Sequence, residues 1–152
     1  MKKLVYSTHE YSCDVGGKAV NGAWLTQPWF SDPSFPANMP SVWYDHFGFV
    51  LQDAMAPVIV GEFGFKLNNP VNPSCERTKI PWMLAFQKYM NGYVNLDNYN
   101  ILKPGQQGMG SFFWAVGTSY DLQGFLLDDW KTVNPESLKY LQPLLSSSKL
   151  LV

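Results

Sequence analysis

Charge is scarce in this 152-residue chain: 11 Lys and Arg stand against 12 Asp and Glu, together 15% of the residues, for a formal net charge of −1. The basic side chains occur singly, so there is no stripe that would bind phosphate backbones or acidic membranes, and nucleic acid is not an expected partner. Long apolar runs are missing too. None reaches the roughly 18 residues that span a bilayer. Met1-Lys2-Lys3 leads into strand-like sequence, not a signal peptide's apolar stretch, so no secretion signal is expected. Histidine and cysteine number two each. Neither His9 and His46 nor Cys13 and Cys75 have metal-ligand spacing, and no metal or other cofactor is expected. The cysteines are free thiols or one disulfide, because sequence position does not establish the geometry of a bridge. Asn-x-Ser/Thr sequons are also absent.

Aromatic residues, by contrast, are plentiful. They make up 16% of the chain, with six Trp and eight Tyr, and such side chains offer flat amphipathic faces to ligands as well as bulk to a core. A hydrophobic share of 46% in 152 residues is that of one globular domain with a sizeable core.

Three β-rich runs stand out: Leu4 to Tyr11, Pro57 to Phe63 and Ser111 to Val116. Between the first two, Val42, Trp43, His46, Phe47, Val50, Leu51 and Ala54 form the stripe of an amphipathic helix that starts near Pro40. Met83, Phe86, Met90 and Tyr93 form a second stripe, and Pro135 to Leu145 predicts a final helix. The order β-α-β-α-β-α implies parallel strands with helical crossovers, an α/β arrangement. Pro28 to Pro40, rich in proline and aromatics, predicts a stiff surface loop.

Polar and aromatic residues gather where the strands end, which is where parallel α/β sheets and barrels place their sites. Glu62 ends an apolar strand between Gly61 and Gly64, where strand interiors do not favour a carboxylate, so it is either a site residue or a salt-bridged or solvated strand end. His9 and Tyr11 are two apart on one strand and share a face, while Glu10 points away. Trp114 ends the third strand, and Trp29 sits in the proline-rich loop; each ring suits the C–H face of a sugar or a place in the core. Asp121, Asp128 and Asp129 lack the spacing of a calcium loop and are expected in turns and caps.

In order, HEY (9–11), WFSDPSFPANMPSVW (29–43), APVIVGEFG (56–64), SFFW (111–114) and LLDDW (126–130) resemble glycoside hydrolase family 5, the cellulase family. The resemblance implies the last three βα units of a (β/α)8 TIM barrel, strands six to eight, with residues 1–152 as the C-terminal part of the catalytic domain. It implies Glu62 as nucleophile, His9 and Tyr11 as residues orienting nucleophile and substrate, and Trp114 as the platform under the sugar beside the scissile bond. Trp29 would be a further stacking residue. The implied partner is β-1,4-glucan or a related polysaccharide. Cleavage would be retaining, with the second carboxyl about 5–5.5 Å from the nucleophile.

That acid/base glutamate normally lies in an Asn-Glu-Pro motif on barrel strand four, and the motif does not occur here. Glu10 is a poor substitute, because it faces away from His9 and Tyr11. The chain is therefore expected to supply the nucleophile half of an endo-β-1,4-glucanase. The alternative is a catalytically incomplete fragment that at most binds glycan weakly, through Trp29 and Trp114. GTSYDLQGFLLDDW after the last strand departs from the Gly-Asp-Thr-Gly-Gly of bacterial relatives. Unpaired sheet edges predict self-association, and a full-length family member is expected to be extracellular.

Overall fold

The structure, a computed structural model, describes residues 4–16, 18–20, 23–25, 27–66, 73–92, 108–117 and 124–147. Tyr93 and Asp121 lie outside these residues. The chain opens with strand β1 (Tyr6–Tyr11), helical turn α1 (Cys13–Gly16) and a hairpin of β2 (Lys18–Val20) and β3 (Ala23–Leu25). A 3-10 turn at Pro28–Ser31 follows, then α2 (Met39–Trp43), a π-helical turn at Tyr44–Gly48 and α3 (Phe49–Gln52). The rest comprises β4 (Val58–Gly64), α4 (Pro73–Glu76), α5 (Lys79–Met90), β5 (Gly110–Phe113) and α6 (Pro135–Ser147).

The expected strands appear as β1, β4 and β5, paired in parallel in the order β1-β4-β5. β5 is shorter than the run that suggested it, ending at Phe113. The helix expected from Pro40 is α2 and α3 joined through the π turn, where Gly48 makes room for Tyr89: a Cβ at Gly48 would lie 1.8 Å from the Tyr89 hydroxyl oxygen. The proline-rich segment is only partly a surface loop. Phe30 and Met39 turn inward and are buried, because a segment this apolar gains more from the core than from water.

One face of the sheet packs on the helices. Val58, Val60, Phe63 and Phe65 are buried there against Trp43, Trp82, Phe86 and Tyr89 of α2 and α5. Trp43 lies 4.9 Å from Phe86 and 5.0 Å from Tyr89 between ring centroids, and Phe63 bridges Phe86 to Phe113 at 6.0 and 5.5 Å. Rings at such separations add to the burial of their area, which makes this aromatic layer the main support of the strands. At the far end Tyr140 of α6 meets Phe65 at 5.8 Å.

Helix α6 starts as its sequence requires. Pro135 occupies the first helical position, and the Asn134 side-chain oxygen accepts from the N–H groups of Glu136 (3.1 Å) and Ser137 (3.4 Å). The Asn134 amide and the Ser137 hydroxyl both donate to the Gly124 carbonyl, fixing the helix to the segment that returns from β5. Cys13 and Cys75 form a disulfide across 62 positions of sequence, with Cα atoms 5.4 Å apart. It ties the chain leaving β1 to α4, which follows β4.

Candidate active site

Strict alternation along β4 would put Glu62 on the face of Val58 and Val60, among the helices. The structure places it on the opposite face. β1 pairs residue by residue up to Thr8 with Val60, then His9 pairs with Glu62, so Gly61 is an extra residue in β4. The pairing with β5 slips at the same place, between Val60 and Phe63. This bulge turns Glu62 to the side of His9 and Tyr11 and returns Phe63 to the aromatic core.

Glycine is required at the bulge by the close approach of β1. A Cβ at Gly61 would lie 2.1 Å from the Ser7 hydroxyl oxygen and 3.6 Å from Nε2 of His9. Ser7 and Gly61 belong to the site as spacing residues, and the signal for Gly61 was visible in VGEFG. Ser7 had no such signal; only the register reveals it.

Three of the expected residues come together. The Tyr11 hydroxyl donates a hydrogen bond to Oε1 of Glu62. His9 Nδ1 lies 3.9 Å from Oε2, too far for a hydrogen bond, with the His9 side chain 59% exposed and that of Glu62 24%. The carboxylate is therefore held on one oxygen and sits at an open surface beside a half-exposed imidazole, an arrangement suited to attack on a bound electrophile.

Trp114 stands on the neighbouring strand. Its N–H donates to the Phe63 carbonyl at 2.8 Å, so the β4-β5 ladder runs one residue beyond β5 and aligns Trp114 with the Glu62 end of β4. The peptide from Trp114 to Ala115 is cis, and Trp114 is 46% exposed. Trp29 is placed differently. Its ring neighbours are His46, edge-on at 5.2 Å, and Phe30 at 6.4 Å, and its carbonyl accepts from the Asn38 amide at 2.8 Å. This packs Trp29 against the helical segment that follows the loop.

Glu10 points to the helix side, as alternation requires. Burial against the aromatic layer pushes its carboxyl up to about 7, and the nearby Trp43 side chain only partly offsets this. The Tyr89 hydroxyl is raised as well, by burial first and then by the nearby Glu10 and Tyr44 against the Gln52 contact. Among the described residues no group of three or more His, Cys, Asp or Glu side chains is placed to hold a metal ion, and no helix is long and apolar enough to cross a membrane.

The chain is similar to known cellulases in sequence and in fold. The cellulase model of glycosyl hydrolase family 5 matches residues 1–101. The chain is 34% identical over 133 residues to an endoglucanase of Paenibacillus polymyxa, covering 87% of this chain and 26% of that protein. It is 31% identical over 144 residues to the major extracellular endoglucanase of Xanthomonas campestris, covering 93% and 24%. An endocellulase of Pyrococcus horikoshii, solved with cellotetraose, superposes with a TM-score of 0.66 at 29% identity over 94% of this chain and 32% of its own. The catalytic domain of the Xanthomonas enzyme does so with a TM-score of 0.64 at 26% identity, over 93% and 33%.

The chain thus spans about a quarter of the length of the curated relatives it matches. Its three parallel strands and their helices are a partial (β/α)8 barrel, and the chain belongs to glycosyl hydrolase family 5, the cellulases.

Proposed function

We propose that residues 1–152 are the C-terminal part of the catalytic domain of a retaining endo-β-1,4-glucanase and supply its nucleophile, Glu62. The observation that carries this reading is the bulge at Gly61, which brings Glu62 out of the core and under the Tyr11 hydroxyl. With Oε1 held by Tyr11, Oε2 attacks the anomeric carbon of a glucosyl unit resting on Trp114. The glycosidic C–O bond breaks, and the leaving oxygen takes a proton from an acid/base carboxyl elsewhere in the domain. Water, deprotonated by that same group, then releases the sugar from Glu62 with its configuration retained. His9 faces the substrate side of the carboxylate and donates to a sugar hydroxyl. Trp29, packed against His46, serves as a more distant stacking residue.

The substrate is a neutral β-glucan, in keeping with the near-zero net charge and with the cellotetraose complex of the Pyrococcus enzyme. The complete protein acts outside the cell, as the Xanthomonas relative's name states of that enzyme; the Cys13–Cys75 disulfide suits an oxidising compartment. Among the described residues β1 and β5 are the two edges of the sheet, so the chain by itself self-associates through them.

The test uses a cellobioside with fluorine at C2 and dinitrophenolate as leaving group, which departs with its electron pair and needs no proton. The folded chain should gain one fluorocellobiosyl mass on the peptide that contains Glu62, and Glu62→Gln should gain none. A folded chain that binds cellobiose but is never labelled would exclude Glu62 as nucleophile. Unchanged glycan binding in Glu62→Gln, with no labelling or hydrolysis by either form, would leave the alternative of a fragment that only binds.

A further inference from the structure

The segment between β5 and α6 holds an exposed tryptophan in a fixed position. After Trp114 the returning chain lies alongside the strand end: the N–H groups of Phe125 and Leu126 donate to the carbonyls of Ala115 (2.9 Å) and Val116 (2.7 Å). Leu126 and Val133 then form an antiparallel bridge that closes a tight loop. Inside it Leu127 N–H donates to the Thr132 carbonyl and Trp130 N–H to the Leu127 carbonyl. The Asp129 carboxylate accepts from the N–H groups of Lys131 (3.0 Å) and Thr132 (2.8 Å) and from the Thr132 hydroxyl (2.5 Å).

This scaffold holds Trp130 at φ 57°, a left-handed conformation that bulky side chains rarely adopt. Such a conformation persists only when its surroundings impose it, and residues of this kind concentrate at ligand sites. The indole is not paid for by burial, since Trp130 is 65% exposed. It is nevertheless located. A Cβ on Gly117 would meet Cη2, Cζ2 and Cζ3 of its ring at 2.4, 2.6 and 2.8 Å, so the ring rests on the bare Cα of Gly117. Gly117 follows Trp114 by three residues, which limits their separation to about 11 Å, roughly two glucosyl units.

We propose that Trp130 is an outer sugar platform, stacking a glucosyl residue about two units along the same β-glucan chain from the one that lies on Trp114. The placement follows from continuity. Trp114, Gly117 and Trp130 belong to one connection leaving the C-terminal end of β5, beside the end of β4 that carries Glu62. A ring fixed on one side and open on the other offers a flat apolar face, and the adjacent exposed Asp128 supplies acceptors for sugar hydroxyls. The inference rests on the reading of Glu62 and Trp114 as a β-glucan site.

The test is titration of the folded chain with cellobiose and cellohexaose, following the indole N–H resonance of Trp130 and the dissociation constants. Cellohexaose should shift that resonance and cellobiose should not. Trp130→Ala should weaken cellohexaose about three- to tenfold and leave cellobiose unchanged, while Trp130→Tyr should restore most of the difference. Equal weakening of both sugars by Trp130→Ala, with no recovery in Trp130→Tyr, would show that Trp130 only supports the loop and would overturn the subsite. Cellohexaose binding that ignores Trp130 but is lost in Trp114→Ala would overturn it while sparing the glucan site. Failure of the unaltered folded chain to bind either sugar would overturn both.

Discussion

Tyr11 and Glu62, 51 residues apart in sequence, meet on adjacent parallel strands through a hydrogen bond from the phenol to one carboxylate oxygen. The bond does two jobs if Glu62 is a nucleophile. It fixes the carboxylate rotamer and leaves the second oxygen as the attacking atom. Tyr11→Phe should therefore slow glycosylation of Glu62 by the fluorinated cellobioside about 10- to 100-fold, the worth of one hydrogen bond to a charged acceptor. Melting temperature should change little, because the phenol sits on the open face. Labelling at an unchanged rate would deny Tyr11 its orienting role.

Gly61 carries a sharper prediction, because its constraint comes from a single atom. The Cβ of Gly61→Ala would lie 2.1 Å from Ser7 Oγ but 3.5 Å from Ser7 Cβ, an ordinary contact. The variant should lose about 1–3 kcal/mol of stability by overpacking and displace Glu62 from Tyr11. Adding Ser7→Ala removes the clashing oxygen and should recover most of that loss, so a double-mutant cycle by urea unfolding should give a favourable coupling. Additive effects would mean that the bulge needs glycine for its backbone and not for the space.

Much of the architecture was legible because its signals are local. The stripe from Val42 to Leu51 and the β-rich runs behind β1 and β4 carry helix and strand signals without help from distant residues. The site was legible only in part. Alternation along Val58, Val60 and Glu62 buries the carboxylate, and the slip that reverses it depends on how Thr8 and His9 meet β4, a long-range relationship. The cysteine pairing was equally open, since Cys13 and Cys75 approach only when the strands they follow are packed side by side. The β2-β3 hairpin went unread because its strands have three residues each, too few to show a period. Trp29 looked like a loop residue by composition, whereas His46 and Phe30 hold it against the helices.

Removal of the disulfide tests how far it supports the site. It closes a loop of 62 positions, and its loss through Cys13→Ser with Cys75→Ser should lower stability by about 2–4 kcal/mol. Cys13 follows Tyr11 by two residues, so the end of β1 should loosen first, and hydrogen exchange at Tyr11 and Ser12 should rise more than at Val60. Thermal unfolding with and without reductant measures the first effect. A reduced chain as stable as the oxidised one would place the burden on the aromatic layer alone.

Glu10 makes stability depend on pH in a direction opposite to that of a salt-bridged carboxylate. Its carboxyl titrates at an ordinary 4.5 when unfolded and near 7 when folded, chiefly because burial disfavours the charge. Below about pH 4.5 both states hold the proton and the site costs nothing electrostatically. Between the two values the folded state keeps a proton that the unfolded state has released, so stability falls as pH rises; above about 7 the penalty is constant, roughly 3 kcal/mol. Glu10→Gln keeps the shape and removes the titration, so the variant should match the parent near pH 4 and exceed it at pH 8 by up to about that amount. Urea unfolding across this range gives the slope directly. A slope that persists in Glu10→Gln would assign it to another group and would mean that the Glu10 carboxyl reaches water in the folded chain.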